Sequence, residues 1–153
     1  MNSRTRNDVV VEALTAGDIR PLYPLVLAVE PGLLWSQWDR YARRMVRARP
    51  PVREGIIVAR RRGHPMPCGA VCYRRDRDLR HGLVLTAEHF VAIDLLYPQA
   101  VLTALARALD ELADRFDCAA IRSVVLDRDR AVAENLGVVG HNRDGLMLTK
   151  YRF

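Results

Sequence analysis

The chain has 153 residues and a mass of 17.4 kDa, the size of one domain, long enough to bury roughly 70% of the surface it exposes when unfolded. Half of its residues are hydrophobic and 27% are charged, a balance that excludes the disordered and fibrous classes. The net charge of +6 comes almost wholly from arginine, with Lys150 the only lysine.

No uninterrupted apolar run approaches the ~20 residues of a membrane span. The polar start "MNSRTRNDVVVEAL" lacks the apolar stretch of a secretory signal. No membrane partner and a cytoplasmic location are the expectation. Cys68, Cys72 and Cys118 are odd in number and fit no zinc-ligand spacing, and the histidines at 64, 81, 89 and 141 are scattered. Free thiols and no metal are therefore expected.

Residues 1–7 read as a flexible N-terminus of a single domain spanning 1–153. "DVVVEAL", residues 8–14, is a β-branched run and predicts the first strand. Thr15 then caps a helix, with Asp18 where a capping box places its acid. Pro21 and Pro24 confine that helix and "EPG" at 30–32 interrupts it. In "LLWSQWDRYARRMVRA" the residues Leu34, Trp38, Tyr41 and Met45 recur at three and four, predicting a second helix that ends before Pro50-Pro51.

"EGIIVARR" and "CGAVCYRR" are strands separated by the turn "RGHPMP". "LVLTAEHFVAIDLL" is one long strand or two broken near Glu88, apolar enough for burial on both faces. A helix from Gln99 to Phe116 follows, with apolar positions at 101, 102, 105, 109, 112 and 116. "AAIRSVVL" is a strand, "DRDRAVAENLG" a short helix ended by Gly137, and "GLMLTKYRF" a last strand. The order β-α-α-β-β-β-α-β-α-β predicts a mixed α/β fold, an antiparallel meander followed by a crossover helix that makes two later strands parallel.

Between Arg40 and Arg80 thirteen arginines face only Glu54, Asp76 and Asp78. Such a field attracts anions, nucleic acid among them. Yet "RRDRDLRHG" mixes signs, as a polar hairpin tip does. Nucleic acid is the minority expectation.

The strand that ends in Leu96-Tyr97-Pro98 and runs into a helix, together with the later "AENLGVV", resembles the GNAT superfamily of acyl-CoA-dependent N-acyltransferases over about Val9 to Phe153. The resemblance implies acetyl-CoA or another acyl-CoA as cosubstrate and an amine acceptor that no residue identifies. It implies that the pyrophosphate loop opens the central helix, with Val101 at the family's Arg/Gln position, Leu102 and Ala104 inside the loop and Ala106 at its last small position. That motif is degraded here, since valine donates no side-chain hydrogen bond and Ala104 replaces a glycine. Asp127 stands at the place of a cofactor-contacting Asn, and Ala133 at that of the tyrosine that protonates the leaving thiolate.

The resemblance further implies that backbone N–H groups of Leu95, Leu96 and Tyr97 hold the thioester oxygen and pantetheine amide. Glu88 or His89 is the expected base; because neighbouring strand residues alternate, only one of them is expected to face a given cleft. Solvation of one and structural burial of the other is an equal alternative. Tyr97 is the candidate acid, or packs over the helix start, and His141 and Asp144 are weaker candidates. Asp94 is expected to bind backbone where the strands splay, or to make a purely structural hydrogen bond. Trp35, if exposed, closes an acceptor site. The competing expectation is a catalytically degenerate GNAT-like binding or assembly module, in which Val101, Leu102 and Leu105 are apolar packing residues, a homodimer contact being one place for them.

Overall fold

A computed structural model describes residues 8–49, 53–94 and 97–152. Five strands form one sheet in sequential order: β1 (Val9–Ala13), β2 (Glu54–Arg61), β3 (Pro67–Asp78), β4 (Gly82–Ala92) and β5 (Ala120–Ser123). The first four pair antiparallel, and β4 with β5 is parallel, because the 18-residue helix α3 (Pro98–Arg115) carries the chain back between them. Two helices, α1 (Ile19–Val29) and α2 (Trp35–Arg47), lie between β1 and β2, and α4 (Arg130–Val138) follows β5. The expected mixed α/β architecture is present, with one exception. The last strand does not form, and residues 141–152 carry no regular structure. Leu146, Leu148 and Tyr151 there are 77%, 89% and 76% exposed, with no sheet edge to cover them.

Alternation along β2 sends Ile57 and Ala59 to one face and Ile56 and Val58 to the other. The first face is covered by α3 and α4, the second by α1 and α2. On the second face Trp38 is fully enclosed, and its indole N–H donates to the Ile19 carbonyl at 2.7 Å, tying α2 to α1.

The first face depends on one glycine. A Cβ on Gly69 of β3 would stand 2.5 Å from Val101 Cγ1 and 2.8 Å from the Val91 carbonyl oxygen. Only a bare backbone lets the first turns of α3 settle onto the sheet there. Val101, Leu102 and Leu105 are thus core residues, exposed by 0%, 4% and 0%. They are apolar packing residues, as the binding-module expectation had them, and they pack within the chain's own core.

The capping box is formed: Thr15 donates to Asp18 Oδ2 from its N–H at 3.0 Å and from its hydroxyl at 2.9 Å. Arg60 adds a bond to Asp18 Oδ1 at 3.0 Å. At the end of α4 it is Gly140, not Gly137, that takes the left-handed conformation, with φ at 100°. The N–H groups of Gly140 and His141 close back on the carbonyls of Gly137 and Leu136, a Schellman ending displaced three residues from the expected one.

Two outcomes follow. Gly69→Ala lowers stability by about 1–3 kcal/mol, read as a fall in urea midpoint, and combines less than additively with Val101→Ala because the two share one contact. Burial opposes ionisation of Asp18, but the Thr15 N–H and hydroxyl and the Arg60 guanidinium outweigh it and hold its carboxyl below the ordinary 3.8. Its contribution is therefore fully present above that unfolded value and lost as pH falls through the lower folded one. Asp18→Asn flattens the acid limb of a stability–pH curve in that window.

Candidate active site

Strands β4 and β5 run side by side from Val84 and Ala120 to Ala87 and Ser123. The last bond between them is from the Val124 N–H to the Ala87 carbonyl, 2.8 Å. Beyond it the two chains part. The apolar run 124–126, expected as strand, turns away toward α4, while β4 continues to Ala92 with no strand beside it on that side among the described residues. The gap is a cleft of about 230 Å³.

What turns β4 at this point is a bulge. Ala70 faces Val91 and Cys72 faces Glu88 across the β3–β4 ladder, so His89 and Phe90 together oppose the single residue Val71. His89 takes φ 58°, a left-handed conformation that costs a non-glycine residue roughly 1 kcal/mol. A bulge re-aims side chains. Here Glu88 and His89 both line the cleft, which corrects the expectation, drawn from regular alternation, that only one would do so. Opposite them stand Val124, Val125 and Leu126, with Asp129 just before α4, Val132 within it, Glu30 just after α1, and Met147.

Glu88 is anchored. One carboxylate oxygen accepts from Arg74, whose Nε also meets Asp76 at 3.0 Å, and Asp76 accepts the Thr86 hydroxyl at 2.7 Å. His89 makes no hydrogen bond or ion pair among the described residues. Cys72 lies beneath, and burial pushes its thiol up to about 12. Burial, then the adjoining Cys72 and Glu88, push the Tyr41 phenol up as well. Both stay protonated near neutral pH, so Cys72 is no thiolate nucleophile. All three cysteines are free, and burial raises the thiols of Cys68 and Cys118 too. No cluster of metal-ligating side chains occurs among the described residues, and no helix there is long and apolar enough to cross a membrane.

The other expected site residues are placed differently. Leu95 and Leu96 lie outside the described residues. The Tyr97 N–H donates to Asp94 Oδ1 at 2.9 Å, the backbone contact expected of Asp94, so it is not an open donor. The Tyr97 ring packs against the Arg61 guanidinium, 5.9 Å from its centroid, and does not line the cleft. Helix α3 begins at Pro98 itself, so no glycine loop precedes it, and Val101, Leu102 and Ala106 turn their side chains into the core rather than toward a phosphate. Ala104 is half-buried within the same helix, and Asp127 is exposed in the turn before α4. Trp35 is 37% exposed, but Tyr23 packs edge-on to it at 5.3 Å and Arg20 covers its ring at 5.2 Å.

Sequence reasoning passed over Arg74, Asp129 and Met147. Arg74 was lost in an arginine-rich turn, and Tyr41 was read as part of a helical apolar stripe. Only the strand register, which sets Cys72 opposite Glu88, shows why they matter.

No family model matches the chain, and no curated protein matches it in sequence. Solved structures do. A transcriptional regulator from Bacillus halodurans C-125 is 14% identical with a TM-score of 0.81, covering 94% of this chain and 99% of its own. The aminoglycoside N-acetyltransferase AAC(6')-Iy, solved with CoA, is 11% identical with a TM-score of 0.79 over 94% of both chains. Glucosamine-6-phosphate N-acetyltransferase from Arabidopsis thaliana is 13% identical with a TM-score of 0.70 over 94% of this chain and 97% of its own. With sheet order, bulge and parting strands already in place, these likenesses show that the chain has the fold of the GNAT acetyltransferase superfamily.

Proposed function

We propose that this protein transfers an acyl group from acyl-CoA to an amine by direct attack. The observation that carries the proposal is the parting of β4 from β5 at the His89 bulge, which opens an apolar-walled cleft with a carboxylate and an imidazole at its rim. A pantetheine arm is narrow and amide-bearing, suited to an apolar slot edged by strand backbone that has no partner on one side. The amine nitrogen attacks the thioester carbonyl carbon, the C–S bond breaks, and the proton shed by nitrogen must leave while the thiolate gains one. His89, unengaged and exposed, takes the first proton. Glu88, held by Arg74, orients the amine. The protonated thiols and phenol around Cys72 argue against a covalent enzyme intermediate.

The binding-module alternative rests on α3, whose first turns are packed onto Gly69 with no glycine-rich loop ahead of them. Cofactor titration separates the two. On the acyl-transfer proposal, calorimetry with coenzyme A and acetyl-CoA gives saturable micromolar binding, whereas silence at near-millimolar cofactor removes it in favour of the module.

Two changes at His89 refine the test. His89→Ala lowers turnover by about 10²–10⁴-fold with coenzyme A affinity retained. His89→Gly does the same while raising stability by about 1 kcal/mol, since glycine adopts the left-handed bulge without strain. A fully active glycine variant removes His89 as base.

A further inference from the structure

On α2 the inward positions Trp38, Ala42 and Met45 are buried against the sheet. Arg40, Arg43, Arg44 and Arg47, spaced by three, one and three, share the outward side and are all exposed. With Arg49 and the walls given by Asp39 and Glu54, they line an open groove of about 840 Å³, too long for a single small anion. Arg43 is paired with Asp39 at 2.9 Å, Arg44 lies over the Tyr41 ring, and Arg49 donates to the carbonyls of Val46 and Ala48. Arg40 and Arg47 have neither ion pair nor hydrogen bond among the described residues. Two uncompensated cations thus stand about 10 Å apart along the helix.

Two features choose among anionic ligands. Among the described residues lining the groove the one large aromatic ring is that of Trp35, and it is already covered by Arg20 and edged by Tyr23, so it is not an open platform for stacking bases. A phosphate chain carries charge at every repeat and sets some of it against Asp39 and Glu54, whereas a polypeptide can turn its uncharged N–H donors to those carboxylates and its acidic side chains to the arginines. We propose that this groove binds an acidic stretch of polypeptide, laid along α2 with its carboxylates on Arg40 and Arg47.

A chain of contacts runs from the groove toward the cleft. Arg44 stacks on Tyr41, Tyr41 packs on the cluster containing Cys72, and Cys72 faces Glu88 across the ladder. In a step that rests on the acyl-transfer proposal, the bound stretch belongs to the acceptor, whose amine is delivered beside Glu88.

The test is fluorescence anisotropy of a short labelled peptide of alternating Glu and Gly, at low and physiological salt, with coenzyme A titrated in parallel. Wild type binds the peptide, more weakly as salt rises. Arg40→Glu combined with Arg47→Glu weakens binding by about tenfold or more at unchanged melting temperature and coenzyme A affinity. The milder pair Arg40→Gln and Arg47→Gln gives the same direction should charge reversal unfold the protein. Absence of saturable peptide binding, equal binding by the variants, or tighter binding of a single-stranded oligonucleotide of equal charge overturns the proposal. Peptide binding without coenzyme A binding overturns acyl transfer alone.

Discussion

Everything at the candidate site follows from the point at which β4 loses its second neighbour. Up to Ala87 the strand is clamped on both sides, and its residues are core: Val84, Leu85 and Ala87 are wholly buried. One residue later the constraint is one-sided. A strand held on one edge only can accept an extra residue, and the bulge at His89 is that residue. The same loosening lets the chain after Ser123 leave the sheet, so that the two halves of the cleft are consequences of a single event. Removing the β5 partner both opens the space and turns the polar groups toward it.

Polar order around the cleft is graded. Glu88 is fixed through Arg74, Asp76 and Thr86, a chain of charge-assisted bonds anchored on two strands. His89, the next residue, has no such anchor and sits in a conformation its own side chain disfavours. The cleft thus sets an anchored carboxylate beside an imidazole held by no partner side chain among the described residues. Backbone strain of this kind persists only where the surrounding ladder over-determines it, which here is the pairing of β3 with β4 on both sides of the bulge.

The elements that hydrophobic period and punctuation mark were legible in the sequence. The extent of β2 was read residue for residue, and the capping box at Thr15 and Asp18 follows from spacing alone. The failures share a cause. "VVL" at 124–126 and "GLMLTKYR" at 145–152 have strand composition, but composition is silent on whether an edge is there to receive them. The first lines the cleft, and the second is exposed even where Met147 meets the cleft. Alternation predicted opposite faces for Glu88 and His89 because a bulge leaves no mark in sequence unless a glycine occupies it. Likewise Val101 aligned with a phosphate-loop position, while its true neighbour, Gly69, lies thirty-two positions earlier in the chain, on the strand before β4.

That neighbour makes position 101 a poor place for a polar side chain. With valine seated on bare backbone and fully enclosed, an arginine at 101 would thrust a guanidinium beneath α3 and bury its charge. Enlarging position 69 instead would lift the helix off the sheet. The two positions therefore hold each other to small and apolar side chains, and a change at either one alone lowers stability.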